Sequence, residues 1–452
     1  MREIELIPDA RNLMESTRSI GYSLSAAVAD IIDNSIAAQA ERVYVWTPTP
    51  SKQHLMILDD GFGMDAEELQ AAMRYGSKYV GDLRSKGDLG RFGLGLKMAS
   101  LSQCRRLTVL SKKSGCTVVG ARWDLEHVAN SSTPWSLQLL DDEDLQDVVW
   151  SDKLCQQTSG TLVVWEELDV LFLGINEHGF DSALIEKLKE LQTHLSLVFH
   201  RYISGETGKD FTINFNDRDL EALDPFLTGR SQKPFAPDTF KLAGYKIRIE
   251  PFILPHPKLL TYEERELAGD LQRDQGFYVY RNKRLVIWGT WFRLSRKMSL
   301  SKLARVRVDI PASAEVDKLW SLDVKKSNAS IPEELKSALK KTVEKLGERS
   351  SQVWERRARV ELTRDSFWKR NKSAEGNVTY TINEENSLVK QFIDSAPGIR
   401  SLLRLISARL PLDSIYTDVA KDNIIETNEE SLAEIIKQLK LVGLDTSVLE
   451  LK

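Results

Sequence analysis

One stretch constrains this chain more than any other: Gly87-Asp88-Leu89-Gly90-Arg91-Phe92-Gly93-Leu94-Gly95-Leu96-Lys97. Its glycines leave little side-chain bulk with which to build a core, and it ends where the helical character of Leu94 to Leu101 begins. Glycines in that place expose main-chain N–H groups beside the positive end of a helix, which suits them to hold phosphate without many cationic side chains. Alone, such a run is an ordinary loop. Its meaning depends on what else the chain carries.

From Tyr22 to Ala40, the residues Leu24, Val28, Ile31, Ile32 and Ile36 recur at helical spacing, with Ser23 or Ser25 as the cap. Asp30 and Asn34, four residues apart, share one face of that helix. A carboxylate and an amide oxygen on one ridge can divide a task, the first positioning water and the second binding Mg2+. Val43 to Trp46 and Leu55 to Leu58 read as a hairpin. The second strand runs into Asp59-Asp60-Gly61-Phe62-Gly63-Met64, an acid at a strand end followed by glycines that permit close backbone approach. Such an acid can accept from an exocyclic amine, and Met64 can floor an aromatic ring. Gly160-Thr161 opens a further strand, and the Thr161 hydroxyl is in sequence position to reach Asp59 directly or through water.

These four elements, in this order and spacing, resemble the boxes of the GHKL ATPases: gyrase B, MutL, the heat-shock chaperone class and MORC proteins. The resemblance covers about the first 170 residues. It implies an α+β chain whose N-terminal Bergerat α/β sandwich (1–175) binds ATP and Mg2+ beneath a lid at about 76–90. One layer of helices over a mainly antiparallel sheet is the economical arrangement. By this resemblance Asp59, with Gly61, Gly63, Met64 and Thr161 around it, binds the adenine amine, and Asn34 ligates the metal. The amides of Phe92, Gly93, Leu94, Gly95 and Leu96, flanked by Gly90, Arg91 and Lys97, hold the phosphates. Asp30 stands where the family usually has the glutamate general base, and Ala37 where it has an aspartate. Binding is therefore the stronger expectation, and hydrolysis is expected to be slow.

Beyond residue 175 we expect an α/β transducer domain of the ribosomal-protein type (176–330), with strand-like pieces at Phe211–Phe215, Tyr245–Phe252, Gly276–Tyr280 and Val306–Ile310. A mostly helical region (331–452) follows, interrupted by a polar segment around Arg370–Asn383. Gln275 to Ile287 is similar to a transducer strand of MutL and MORC proteins. Leu322-Asp323-Val324-Lys325-Lys326-Ser327 resembles the loop that donates a lysine to the γ-phosphate, which makes Lys325 or Lys326 the catalytic candidate. The nearest likeness is to prokaryotic MORC-like ATPases, which implies an ATP-dependent homodimer, a role in anti-phage defence and an effector such as a nuclease. A nucleotide sensor with little hydrolysis is the alternative.

Composition narrows the classes. Apolar residues make up 42% and charged residues 28%, with mean hydropathy −0.31 and no long uncharged apolar run, so no membrane partner and a cytoplasmic location are expected. Cys104, Cys116 and Cys155 lack metal-ligand spacing. The formal net charge of −4 leaves any DNA contact to a local patch. The candidate is 281–307, where Lys283, Arg284, Arg293, Arg296, Lys297, Lys302 and Arg305 interleave with Trp288, Trp291 and Phe292.

Overall fold

The computed structural model describes residues 3–409 except 5, 7, 20, 50–52, 76–94, 172–179, 298–300, 323–328, 362–365, 373–377 and 396–398. It divides into two compact units, 1–350 and 351–452. The first sheet has eight strands: β1 (Arg42–Trp46), β2 (Leu55–Asp59), β3 (Arg106–Lys112), β4 (Val119–Asp124), β5 (Gln138–Leu140), β6 (Gly160–Glu166), β7 (Thr212–Phe215) and β8 (Arg218–Asp219). Their order is β5-β4-β3-β6-β2-β1-β7-β8, antiparallel except where β7 runs parallel to β1. The second sheet comprises β9 (Asp238–Leu242), β10 (Tyr245–Ile253), β11 (Gly276–Arg281), β12 (Arg284–Thr290) and β13 (Ala304–Ile310), ordered β12-β11-β13-β10-β9.

The helices of the first unit are α1 (Ala10–Arg18), α2 (Leu24–Ala37), α3 (Ala66–Met73), α4 (Gly95–Leu101), α5 (Leu125–Asn130), α6 (Asp142–Asp147), α7 (Ser151–Gln156), α8 (Phe180–Val198), α9 (His200–Ile203), α10 (Tyr262–Ala268) and α11 (Ala314–Leu319). The long α12 (Glu333–Glu361) buries Leu335, Leu339, Val343 and Leu346 at helical spacing. In the second unit, β14 (Trp368–Lys372) and β15 (Val378–Ile382) pair as a hairpin, and α13 (Ser387–Ser395) and α14 (Ile399–Ala408) follow.

Strand alternation explains the layering of the first sheet. Val43, Val45, Leu55, Ile57, Leu107, Val109, Val163 and Trp165 face the main core, which α1, α2, α4 and α8 help to build. Their neighbours Trp46, Met56, Leu58, Leu110, Leu162 and Val164 point the opposite way, as a period of two requires, and are buried with Val148 and Leu154 of the α6–α7 segment. The expected single helical layer is therefore corrected. Both faces of this sheet are covered, because its strands are apolar on both sides.

Two further expectations change. Thr212–Phe215, read from sequence as part of a separate second domain, extends the first sheet instead, since Ile213 and Phe215 bury into the main core beside Val43 and Val45. Residues 176–330 accordingly fall within the same compact unit as the first 175. The polar segment around Arg370–Asn383 is not a bare break between helices but carries the β14–β15 pair, consistent with the β-branched and aromatic run Val378-Thr379-Tyr380-Thr381-Ile382.

The second covered face gives a direct check. Leu162 is fully buried there, so Leu162→Ala is expected to cost about 2–5 kcal/mol in urea unfolding. A loss below about 0.5 kcal/mol, the size usual for surface positions, would mean that this face is open.

Candidate nucleotide-binding site

Helix α2, the end of β2 and the strands β3, β6 and β12 meet at the candidate site. Helix α2 begins at an extended Ser23 whose hydroxyl accepts from the main-chain N–H of Ala26 at 3.2 Å, the expected cap. Ala27, Val28, Ile31 and Ile32 bury in the main core, yet Asp30 and Asp33 are buried as well. Such carboxylates need partners. The Tyr22 hydroxyl donates to Asp30 Oδ2 at 3.2 Å, and Arg284 from β12 reaches both acids: Nε lies 3.2 Å from Asp33 Oδ2, and Nη2 lies 3.8 Å from Asp30 Oδ1. Asn34 is half-buried, one turn beyond Asp30.

Asp59 ends β2 at 6% exposure. The Ser35 hydroxyl donates to its Oδ2 at 2.7 Å, and the main-chain N–H groups of Gly61 and Thr161 donate to its Oδ1 at 3.0 and 3.1 Å. Burial pushes the Asp59 carboxyl up to about 6, against the opposing pull of those three hydrogen bonds. A carboxylate offers about four acceptor positions. With three of them filled by these donors, Oδ2 retains capacity for one more, which fits an exocyclic amine. The adjacent Asp60 serves the strand instead, accepting from the N–H groups of Glu41 and Arg42 at 2.8 and 2.9 Å.

The glycines here have a reason that sequence reading did not supply. A Cβ on Gly63, whose φ is +67°, would lie 1.9 Å from the Lys112 carbonyl oxygen, and one on Gly160 would lie 2.2 Å from that of Asp59. A Cβ on Gly61 would lie 2.8 Å from that of Ala38, so this glycine too sits against protein. The close approach is between strands and turn. Ser111 on β3 then ties the pieces together: its hydroxyl accepts from Met64 N–H at 2.8 Å and lies 2.9 Å from the Thr161 hydroxyl. Thr161 thus meets Asp59 through its main chain, and its hydroxyl meets Ser111. Met64 is half-buried against the main core.

Of the phosphate segment, Gly90, Arg91, Phe92, Gly93 and Leu94 lie outside the described residues, as do the lid region 76–90 and both Lys325 and Lys326. Gly95 opens α4, Leu96 packs partly buried on the main core, and Lys97 is 1% exposed with its ammonium donating to the Ala72 carbonyl of α3 at 2.7 Å. Lys97 is therefore engaged within the protein. Among the described residues no cluster of three or more His, Cys, Asp or Glu side chains could hold a metal. Mg2+ shared between one amide oxygen, phosphate oxygens and water requires none.

The basic segment 281–307 is largely drawn into the protein. Arg284 is committed to Asp33 and Asp30, and Arg305 is buried against the carbonyls of Pro225 and Ala268. Trp291 is buried with its indole N–H donating to Gln275 at 3.1 Å. Arg293, Arg296 and Lys297 remain exposed. Sequence reading therefore overcounted the surface cations, and it missed Tyr22, Asp33, Ser35, Ser111 and the role of Arg284. Asp33 and Ser35 adjoin motif residues; nothing local marks Ser111 or Arg284.

The raised Asp59 carboxyl sets a pH dependence. Its folded value of about 6 lies above the ordinary 3.8, so its contribution to stability is complete below about pH 4 and is lost as pH rises through 6. Asp59→Asn removes that loss. Relative to the wild type, the variant is expected to gain on the order of 3 kcal/mol in unfolding free energy between pH 4 and 7. A difference that stays flat over this range, measured by denaturant titration at each pH, would contradict the assignment.

No curated protein matches the chain. Residues 22–161 match the family model described as Histidine kinase-, DNA gyrase B-, and HSP90-like ATPase, a span that takes in α2, the Asp59 turn and the start of β6. Over these residues the chain is similar to ATPase domains of the GHKL type.

Proposed function

We propose that this protein binds Mg-ATP in the pocket of Asp30, Asn34 and Asp59 and hydrolyses it slowly. The observation that carries the reading is the buried Asp59 carboxylate, which three donors hold in place and which keeps one acceptor position. When bound, ATP supplies the phosphoanhydride to be cleaved and Mg2+ offsets its charge. Asp59 accepts from the adenine amine, beside the half-buried Met64, and the Asn34 amide oxygen ligates the metal. Asp30 takes the proton from the attacking water. It is one methylene shorter than glutamate, which places it farther from that water and slows the step. The segment Gly90 to Lys97 supplies main-chain donors to the phosphates, and Lys325 or Lys326 the cation for the γ-phosphate.

Calorimetry and phosphate release test these roles separately. Asp59→Asn is expected to weaken Mg-ATP binding about tenfold or more, which is about 1.4 kcal/mol. Asp30→Asn is expected to leave affinity within about threefold and to remove turnover, as for a group that acts only in the transition state. Undiminished affinity in Asp59→Asn would sink the adenine assignment.

The reading extends to an ATP-gated dimerisation switch of the MORC-like kind, acting on DNA through the exposed Arg293, Arg296 and Lys297 in a prokaryotic anti-phage system with an effector nuclease. Solution mass with and without a non-hydrolysable ATP analogue is expected to show a dimer only with the analogue. A monomer under both conditions counts against the switch. A second reading, a nucleotide sensor with little hydrolysis, is favoured by the Tyr22 hydroxyl that already donates to Asp30 and by the Arg284 guanidinium 3.8 Å away.

A further inference from the structure

The proposed reaction uses Asp30 but gives no role to the charges buried beside it. Asp30 and Asp33 stand three residues apart on α2, and Arg284 opens β12 in the other sheet, 251 positions from Asp33. Their exposures are 4%, 1% and 4%. The Arg284 Nε lies between the two Asp33 oxygens, at 3.3 and 3.2 Å, while Nη2 stands 3.8 Å from Asp30. A buried pair of this kind is a weak source of net stability, because desolvation offsets most of the attraction and packed apolar side chains would do as well. What a planar guanidinium does supply is geometry: it restricts where two neighbouring carboxylates can sit.

Arg284 is itself held from several sides. Asn282 and Lys283 form the tight turn between β11 and β12 with φ of 49° and 68°, values uncommon for residues other than glycine. The Tyr202 hydroxyl donates to the Asn282 carbonyl at 2.6 Å, and the Lys283 ammonium donates to the Glu206 carbonyl. Across the turn, Arg281 pairs with the buried Asp317 of α11 at 2.8 Å. Arg284 Nη1 also donates to the Leu285 carbonyl at 3.0 Å. A shift of this turn would break contacts to α9 and its following loop, to α11 and to α2 together.

We propose that Arg284 is a positioning residue for ATP turnover: by anchoring Asp33 from the second sheet, it sets the placement of Asp30 against the attacking water. The inference rests on the proposed role of Asp30 and deepens it by tying hydrolysis, and not nucleotide affinity, to the β11–β12 turn. Asp59 draws its partners from α2, the turn after β2 and β6, so the adenine end of the pocket has no direct link to Arg284.

The test compares kcat, KM for ATP, Mg-ATP affinity and melting midpoint in the full-length wild type, Asp30→Asn, Arg284→Lys and the paired variant Arg284→Met with Asp33→Asn. The lysine keeps the charge but loses the fork; the pair removes both charges together, so neither is left buried alone. In both variants kcat is expected to fall about tenfold, as for a misplaced reacting group, while KM and affinity stay within about threefold. A role confined to stability would move the melting midpoint and leave kcat intact. If either variant folds and keeps kcat within twofold of the wild type, while Asp30→Asn loses turnover, the positioning role is overturned and Asp30 survives. If the wild type shows no turnover, or Asp30→Asn matches it, the role of Asp30 falls and this inference with it.

Discussion

The convergence of three donors on the buried carboxylate of Asp59 is the interaction on which the rest of the N-terminal architecture depends. Those donors come from the helix α2, from the turn after β2 and from β6, a strand about a hundred residues downstream. Removing a carboxylate from water is costly unless its oxygens are satisfied, so each donor must arrive at its distance for the fold to tolerate the acid at all. The close approaches at Gly63 and Gly160 serve that end by letting the turn, β3 and β6 approach main chain to main chain. Ser111 closes the arrangement from β3. A site that can accept one more hydrogen bond is thus a by-product of how the sheet is locked.

The second constraint joins the two sheets. Arg284 crosses from β12 to α2, and the strands β7 and β8 extend the first sheet with residues that follow α8. Helix α8 in turn lies against α2 and β12. The candidate site and the second sheet are consequently parts of one packed unit, joined by the buried Arg284–Asp33 pair.

Much of this was legible in the sequence where local pattern marks an element. The spacing of Val28, Ile31 and Ile32 and the cap at Ser23 located α2; the apolar runs at Leu55 and Thr161 located β2 and β6; and the motif residues Asp30, Asn34, Asp59 and Thr161 fall on those elements in the structure. What sequence could not reveal was set by distant partners. Leu162 and Val164 look like any alternating strand until the α6–α7 segment covers them, and Thr212–Phe215 has no local mark to say which sheet it joins. The cations of 281–307 looked like a surface because composition does not distinguish a guanidinium bound to buried acids, such as Arg284, from one in water, such as Arg293. The Thr161 hydroxyl is expected from sequence to reach Asp59 directly or through water, whereas the contact the structure shows for it is with Ser111, an ordinary strand residue, at 2.9 Å.

One acceptor decides the nucleotide assignment. A crystal structure of the full chain with Mg2+ and a non-hydrolysable ATP analogue tests it most directly. The adenine amine is predicted within hydrogen-bond reach of Asp59 Oδ2, about 2.7–3.2 Å, with the metal at Asn34. An analogue bound with its base elsewhere, or with Asp59 still closed off from it, would contradict the assignment.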